Sequence, residues 1–209
     1  HGSLVNGVSW GTGKFGTALQ FDGANDYVSI PSTPYLELSG TGLTIEFWAY
    51  VQAGGATPDY AVVNKPWETG KMVDPYYQYG VEFYGSTQEF VFFMTTAAGL
   101  REFKVPGAYG SWQHVAFTFD GSTVRGYVNG SLILSAAEYG SITARWTTLL
   151  LGVDGVHGQP FKGRLDDLRI YTRRLTQSEI QADMNSPAGG VSPPVISSFS
   201  PTSGPVGTV

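Results

Sequence analysis

The stretch WQHVAFTFDGSTVRGYVNG, residues 112–130, decides the fold. Val115, Phe117 and Phe119 alternate with His114, Ala116 and Thr118, the period-two pattern of a strand with one apolar face. Asp120-Gly121 is read as a two-residue turn, because a type I′ hairpin needs φ > 0 at both central positions. Residues 124–128 return, Asn129-Gly130 turns the chain again, and Leu132, Ile133 and Leu134 follow. A β-meander results. Trp112 and the alternating Val and Phe residues are expected to be core material, and the segment itself to bind nothing.

Working outward, strand-like runs recur at 18–21, 27–30, 43–51, 60–64, 77–84, 89–95, 101–105, 147–153 and 163–171, with turn signals between them. That spacing predicts an all-β fold, a two-sheet antiparallel sandwich. One short C-terminal helix is expected. Thr176-Gln177-Ser178-Glu179 has the form of a capping box, and Ile180 and Met184 then share one helical face. This helix is expected to pack against an open end of the sandwich.

Composition narrows the function classes. The 209 residues contain 14% aromatics and 28 Gly, which suits short strands and tight turns, but only 14% charged residues. Net charge is −5, so a phosphate backbone is repelled on average and nucleic acid is not an expected partner. Cysteine is absent, which excludes disulfides, thiolate nucleophiles and Cys-ligated zinc. No apolar run approaches the ~20 residues of a membrane span. The start at His1-Gly2-Ser3, without Met, is expected of a piece of a longer protein.

Several segments jointly resemble the laminin G-like jelly rolls of the concanavalin A-like lectin/glucanase superfamily. They are GKFGTALQFDGANDYV (13–28), LTIEFW (43–48), WQHVA (112–116), YVNG (127–130) and FKGRLDDLRIY (161–171) with its trailing helix. The resemblance implies a jelly roll of one concave and one convex sheet over residues 1–185, with interaction loops at the rim. It also implies a strand ahead of Leu4, so an edge strand is expected to be missing or the chain to begin just inside the domain. Residues 186–194, SPAGGVSPP, read as a linker, because Pro and Gly bar both helix and ladder pairing. Residues 195–209 resemble the first strand of an IPT/TIG immunoglobulin-like domain, truncated.

Two candidate sites follow. Leu165 and Leu168 have odd separation and cannot share a face of a regular strand, so a bulge or an inward carboxylate is expected at Asp166-Asp167. A buried carboxylate needs a cation or several donors. The loop at Asp22, Asn25 and Asp26 is rich in the oxygen ligands Ca²⁺ prefers. By resemblance, Asp22, Asn25 (through its carbonyl) and Asp166 share one structural calcium ion. The alternative is that Asp22 and Asp26 make Asx turns and Asp166 pairs with Arg164 or Arg169.

For ligand contact, the loop from Pro66 to Pro75 offers Trp67, and Tyr76 and Tyr77 follow it, with aromatic planes suited to the C–H faces of sugars. Alternatively Tyr77 is an ordinary strand residue and Trp67 closes a sandwich edge. Asp154 and His157 of a second Gly-rich loop are further ligand candidates. The three His are scattered, so no metal triad is expected. Glucanases of the superfamily share a Glu-x-Asp-x-x-Glu strand that is missing here, and no Gly-x-Ser-x-Gly elbow occurs. The expectation is a noncatalytic carbohydrate-recognition module of a secreted or cell-surface bacterial multidomain protein. Its partners would be a glycan or neighbouring domains of the same protein. The alternative is an adhesive or structural spacer.

Overall fold

The computed structural model describes residues 2–68, 71, 73–155 and 158–188. Its strands are β1 (Ser3–Val5), β2 (Ser9–Thr12), β3 (Thr17–Asp22), β4 (Tyr27–Ile30), β5 (Leu43–Val51), β6 (Asp59–Pro66) and β7 (Tyr77–Tyr84). They continue as β8 (Glu89–Thr96), β9 (Gly99–Pro106), β10 (Trp112–Phe119), β11 (Thr123–Val128), β12 (Ser131–Ala137), β13 (Leu149–Leu151) and β14 (Lys162–Tyr171). One helix, α1 (Gln177–Met184), follows. The strands form two seven-stranded antiparallel sheets, ordered β1-β4-β13-β6-β7-β8-β9 and β12-β11-β10-β5-β14-β3-β2. This is the jelly-roll sandwich expected from the sequence. Two short strands, β1 and β2, stand ahead of the first strand read from it.

The core lies between the sheets, where alternate residues of each strand meet. Ile45 and Phe47 of β5 and Val115, Phe117 and Phe119 of β10 face Val81, Phe83, Phe90 and Phe92 of the first sheet, all fully buried. Phe92 stacks on Phe117 at 5.1 Å, and Phe47 meets Phe90 edge-on at 6.2 Å. Aromatic pairs of this kind contribute about 0.5–1.5 kcal/mol each beyond the area they bury.

The two meander turns differ. Asn129 and Gly130 both have positive φ (49° and 74°) between paired Val128 and Ser131, as a type I′ turn requires. At Asp120-Gly121 only Gly121 is positive, at 86°. Phe119 pairs with Val124 across four residues, so the expected two-residue turn is a longer loop. Asp120 Oδ1 organises that loop by accepting from the N–H groups of Ser122 (3.1 Å) and Thr123 (2.9 Å).

Helix α1 carries the expected capping box: the Thr176 side chain accepts from Glu179 N–H, and the Glu179 carboxylate accepts from Thr176 N–H. Its position corrects the expectation. Rather than closing an end of the sandwich, α1 lies on the outer face of the second sheet. There Ile180 packs with Ala116 of β10, Tyr127 of β11 and Leu175. A small apolar patch on that face draws the helix in.

Candidate functional site

The alternation that sends Val115 inward sends Trp112 and His114 outward, and in β5 it does the same for Trp48 and Tyr50. Trp112 is therefore only partly buried, which corrects its reading as core. Register places Trp112 opposite Tyr50, Tyr50 opposite Arg164, and Arg164 opposite Gln20. Two residues further along each strand, His114, Trp48 and Asp166 form a parallel row on the same face. The outer face of the second sheet thus carries an aromatic strip that ends in a cation and an amide. Trp112 meets Tyr50 edge-on at 5.7 Å.

Two walls turn this strip into a groove. One is the tight turn between β2 and β3, closed by Gly13 N–H donating to Gly16 O at 3.0 Å. It sets Phe15 edge-on to Trp48 at 6.4 Å and Lys14 Nζ 4.3 Å from the Trp48 ring centre. The other wall is the Asn129-Gly130 turn with the C-terminal end of α1. Trp48 Nε1 donates to Met184 O at 3.3 Å, and Gln177 and Gln181 donate to Gly130 O at 2.9 and 3.0 Å. Lys14, Phe15, Trp48, Trp112, Asn129, Met184 and Asn185 enclose a cavity of about 480 Å³, open to solvent.

The bulge foreseen at Asp166-Asp167 supports the first wall. The β14–β5 register shifts between Asp166 and Arg169, with Asp167 at φ 48°. Asp166 Oδ2 accepts from Phe15 N–H (3.0 Å) and Oδ1 from Asp167 N–H (2.9 Å). Burial raises the Asp166 pKa, opposed by these backbone donors. Beneath α1 lies a buried polar floor. Glu46 sits 3.6 Å from Arg169 Nη1 and 3.9 Å from His114 Nε2, and Tyr171 Oη donates to Asp183 Oδ2 at 2.7 Å. Burial first, then the neighbouring Asp183 carboxyl, pushes Glu46 up to about 8, while burial holds His114 down at about 4.

The calcium candidates do not converge. Asp22 pairs with Lys162, and Asp166 lies four residues along β14, about 13 Å away at roughly 3.3 Å per residue. Ca²⁺ reaches its oxygens at about 2.3–2.6 Å, so one ion does not span both. The loop oxygens already face protein donors. Asp22 Oδ1 accepts from Ala24 N–H (2.7 Å) and the Asn25 carbonyl from Asn6 Nδ2 (2.5 Å). Asp26 accepts from Gly7 and Asp22 N–H (2.7 and 3.0 Å). The three residues do not fit a shared ion.

The rim candidates do come together, on the outer face of the first sheet. Tyr77 Oη donates to Asp154 Oδ2 at 2.9 Å, Tyr76 lies 6.5 Å from Tyr77, and Trp67 N–H donates to Tyr76 O at 2.6 Å. Arg145 stacks on Trp67 at 4.2 Å. His157 lies outside the described residues. Glu82 joins this cluster, its pKa pushed up to about 8 by burial and by Asp154. Tyr77, Glu82 and Asp154 are each at most 5% exposed, so they brace the loops from below; Trp67 and Tyr76 are the more accessible members.

The groove residues Lys14, Phe15, Trp48, Trp112, Asn129, Met184 and Asn185, and Tyr50 and Arg164 in the row beside it, were not singled out as ligand contacts from the sequence. A signal existed for two of them. Trp112 falls on the outward parity of a strand whose inward Val115, Phe117 and Phe119 were already recognised, and Trp48 lies in a run read as strand.

Residues 22–181 match the family Laminin_G_3, described as concanavalin A-like lectin/glucanases superfamily. Pappalysin-1 of Mus musculus is 24% identical over 191 residues, 81% of this chain, and the chain spans 11% of that protein's length. Human pappalysin-1 is 23% identical over the same shares. The binding domain of Paraclostridial Mosquitocidal Protein 1 superposes with a TM-score of 0.71 at 18% identity, over 88% of this chain and 47% of that one. Domain 4 of an extracellular arabinanase from Geobacillus stearothermophilus, in complex with arabinotriose, gives 0.61 at 20% identity over 88% and 87%. The fold is thus shared with domains of binding proteins, and among the described residues no helix is long and apolar enough to cross a membrane. With well over half of its length matched, from the last residue of β3 to helix α1, the chain belongs to the Laminin_G_3 family of the concanavalin A-like lectin/glucanases superfamily.

Proposed function

We propose that this chain is a noncatalytic carbohydrate-recognition module of a multidomain protein acting outside the cell, and that it takes its glycan in the groove beside Trp48 and Trp112. The observation that carries the reading is the open groove of about 480 Å³, in which Phe15, Trp48 and Trp112 supply apolar planes and Lys14, Asn129 and Asn185 supply hydrogen-bonding groups. Glycoside hydrolysis needs two carboxylates flanking the bond to be cut, and among the described residues no carboxylate lines this groove. Glu82 and Asp154 are neighbours on the other sheet, but each is only 2% exposed. The complex of the arabinanase domain with arabinotriose favours a glycan as the ligand class.

Titration of the chain with a panel of oligosaccharides tests the reading, with Trp112→Ala and Trp67→Ala beside the parent. Trp112→Ala is expected to weaken binding at least about tenfold, since loss of an aromatic stacking plane costs on the order of 1–2 kcal/mol. Trp67→Ala is expected to leave it unchanged. Binding that depends on Trp67 and ignores Trp112 moves the site to the other sheet; no binding to any glycan removes the reading. A second reading, an adhesive or structural spacer, is favoured by the apolar edges of the second sheet, where Trp10 on β2 (63%) and Ile133 on β12 (49%) are exposed. Docking to a neighbouring domain, lost on Trp10→Ser or Ile133→Ser, would support it.

A further inference from the structure

We infer that the groove's ligand is an anionic oligosaccharide, one bearing carboxylate or sulfate groups at intervals along its length; the inference rests on the glycan reading above. The chain carries 17 acidic against 12 basic residues, yet the two charged side chains that rest on the aromatic rings of this row, Lys14 and Arg164, are both cations. Lys14 Nζ lies 4.3 Å from the Trp48 ring centre, and the Arg164 guanidinium 5.2 Å from that of Tyr50. Among the described residues neither has an ion pair, a property they share with Arg145 and Lys162, whereas Lys65, Lys71, Arg101, Lys104, Arg125, Arg169, Arg173 and Arg174 all have one.

Resting on a ring holds each cation at the sheet surface without neutralising it, since the ring offers only its quadrupole. Arg164 Nη1 donates to Thr12 O at 3.0 Å, and its Nε is shielded from solvent, so a ligand meets the Nη groups alone. A planar guanidinium with unused donors is the group best matched to the flat fork of a carboxylate or to sulfate oxygens. The carboxylate on this part of the face, Asp166, is buried and turned to the backbone of Phe15 and Asp167, so it does not cancel the two cations.

Register also sets a length. From Trp112 through Tyr50 and Arg164 to Gln20 the row crosses three strand spacings, about 14 Å at roughly 4.8 Å each. That spans more than one sugar ring. An oligosaccharide lying along the row stacks on Trp112 and presents its charged groups to Lys14 and to Arg164 on the Tyr50 ring.

The experiment titrates the intact chain with a neutral arabino-oligosaccharide, an oligogalacturonate and a heparin-derived oligosaccharide, at about 0.05 and about 0.5 M salt. One of the two anionic probes is expected to bind at least about tenfold tighter than the neutral one and to lose most of that advantage at high salt. Which of them does so identifies the anion. Lys14→Gln and Arg164→Gln are each expected to weaken it about tenfold while leaving the thermal melt unchanged. Trp112-dependent binding of the neutral probe, indifferent to salt and to both substitutions, overturns the inference and keeps the glycan reading. Anionic binding that survives Lys14→Gln, Arg164→Gln and Trp112→Ala together also overturns it. Binding of no probe at all removes both.

Discussion

Asp166 does its work through two backbone hydrogen bonds. Its oxygens take the N–H groups of Phe15 and Asp167, tying the turn that carries Lys14 and Phe15 to the bulge in β14. Asp166→Ala leaves two sheltered donors without an acceptor and is expected to cost on the order of 1–3 kcal/mol in urea unfolding. Ligand affinity falls with it, because the groove loses one wall. Asp166→Asn retains one acceptor oxygen and should cost less. EDTA is expected to leave the melting temperature unchanged, because Asp22 and Asp166 stand too far apart for one ion. A melt that drops on chelation refutes this account of Asp166. That a bulge belonged here was legible in the odd spacing of Leu165 and Leu168. What the inward carboxylate would meet was not, since Phe15 lies 151 residues away in sequence.

At the scale of elements, β4, β5 and β7 run over the residues that alternation in the sequence marks out. β1 and β2 escaped because they are three and four residues long and mostly exposed, so no apolar face announces them. The docking of α1 was equally hidden. Its capping box is local and readable, but its seat is a polar floor contributed by β5, β10 and β14. Two buried carboxyls make stability depend on pH, Glu46 in that floor and Glu82 on β7 of the first sheet. Glu46 and Glu82 keep their protons to about 8 when folded against 4.5 when free, so the folded chain holds more protons between those values. Their contribution is full below about 4.5 and is lost as pH rises through about 8. His114 works the other way between about 4 and 6.5, where the unfolded chain binds the extra proton and stability rises with pH. The three partly offset one another up to 6.5; above it only the two glutamates act. Thermal melts are therefore expected to decline between pH 6.5 and 8, and Glu46→Gln or Glu82→Gln each to flatten the decline. An unaltered slope in both variants would show that these carboxyls titrate normally.

The whole molecule is held together by contacts between segments far apart in sequence. Lys65 at the end of β6 follows a run read as strand, and nothing local marks it for burial. It is fully enclosed, with Nζ 2.6 Å from Glu37 and 2.5 Å from Thr147 O. Burial lowers its pKa and the Glu37 carboxylate opposes that shift. One side chain thereby fastens the loop before β5 and the segment before β13 to the first sheet. Lys65→Ala strands the Glu37 charge and is expected to destabilise by about 3–5 kcal/mol in urea unfolding. The double change Lys65→Met, Glu37→Gln is expected to recover much of that loss. If the double variant is no better than the single one, the penalty is lost packing and not an unpaired charge.

Residues 112–130, together with the periodic strands around them, were enough to predict a two-sheet sandwich, and the resemblance to laminin G-like domains made it a jelly roll. Alternation and turn chemistry are local properties, readable over a few residues, and a sandwich follows once enough strands each have one apolar face. The same alternation named the outward residues too, but an outward side chain lies equally well on bare surface, under a helix or in a groove. Only the tertiary structure decided between these. It laid α1 across the second sheet, folded the Lys14–Phe15 turn onto Trp48 and aligned Trp112, Tyr50 and Arg164 across three strands. A groove is made of contacts between chain segments distant in sequence, and register and docking, which local pattern does not encode, bring them together.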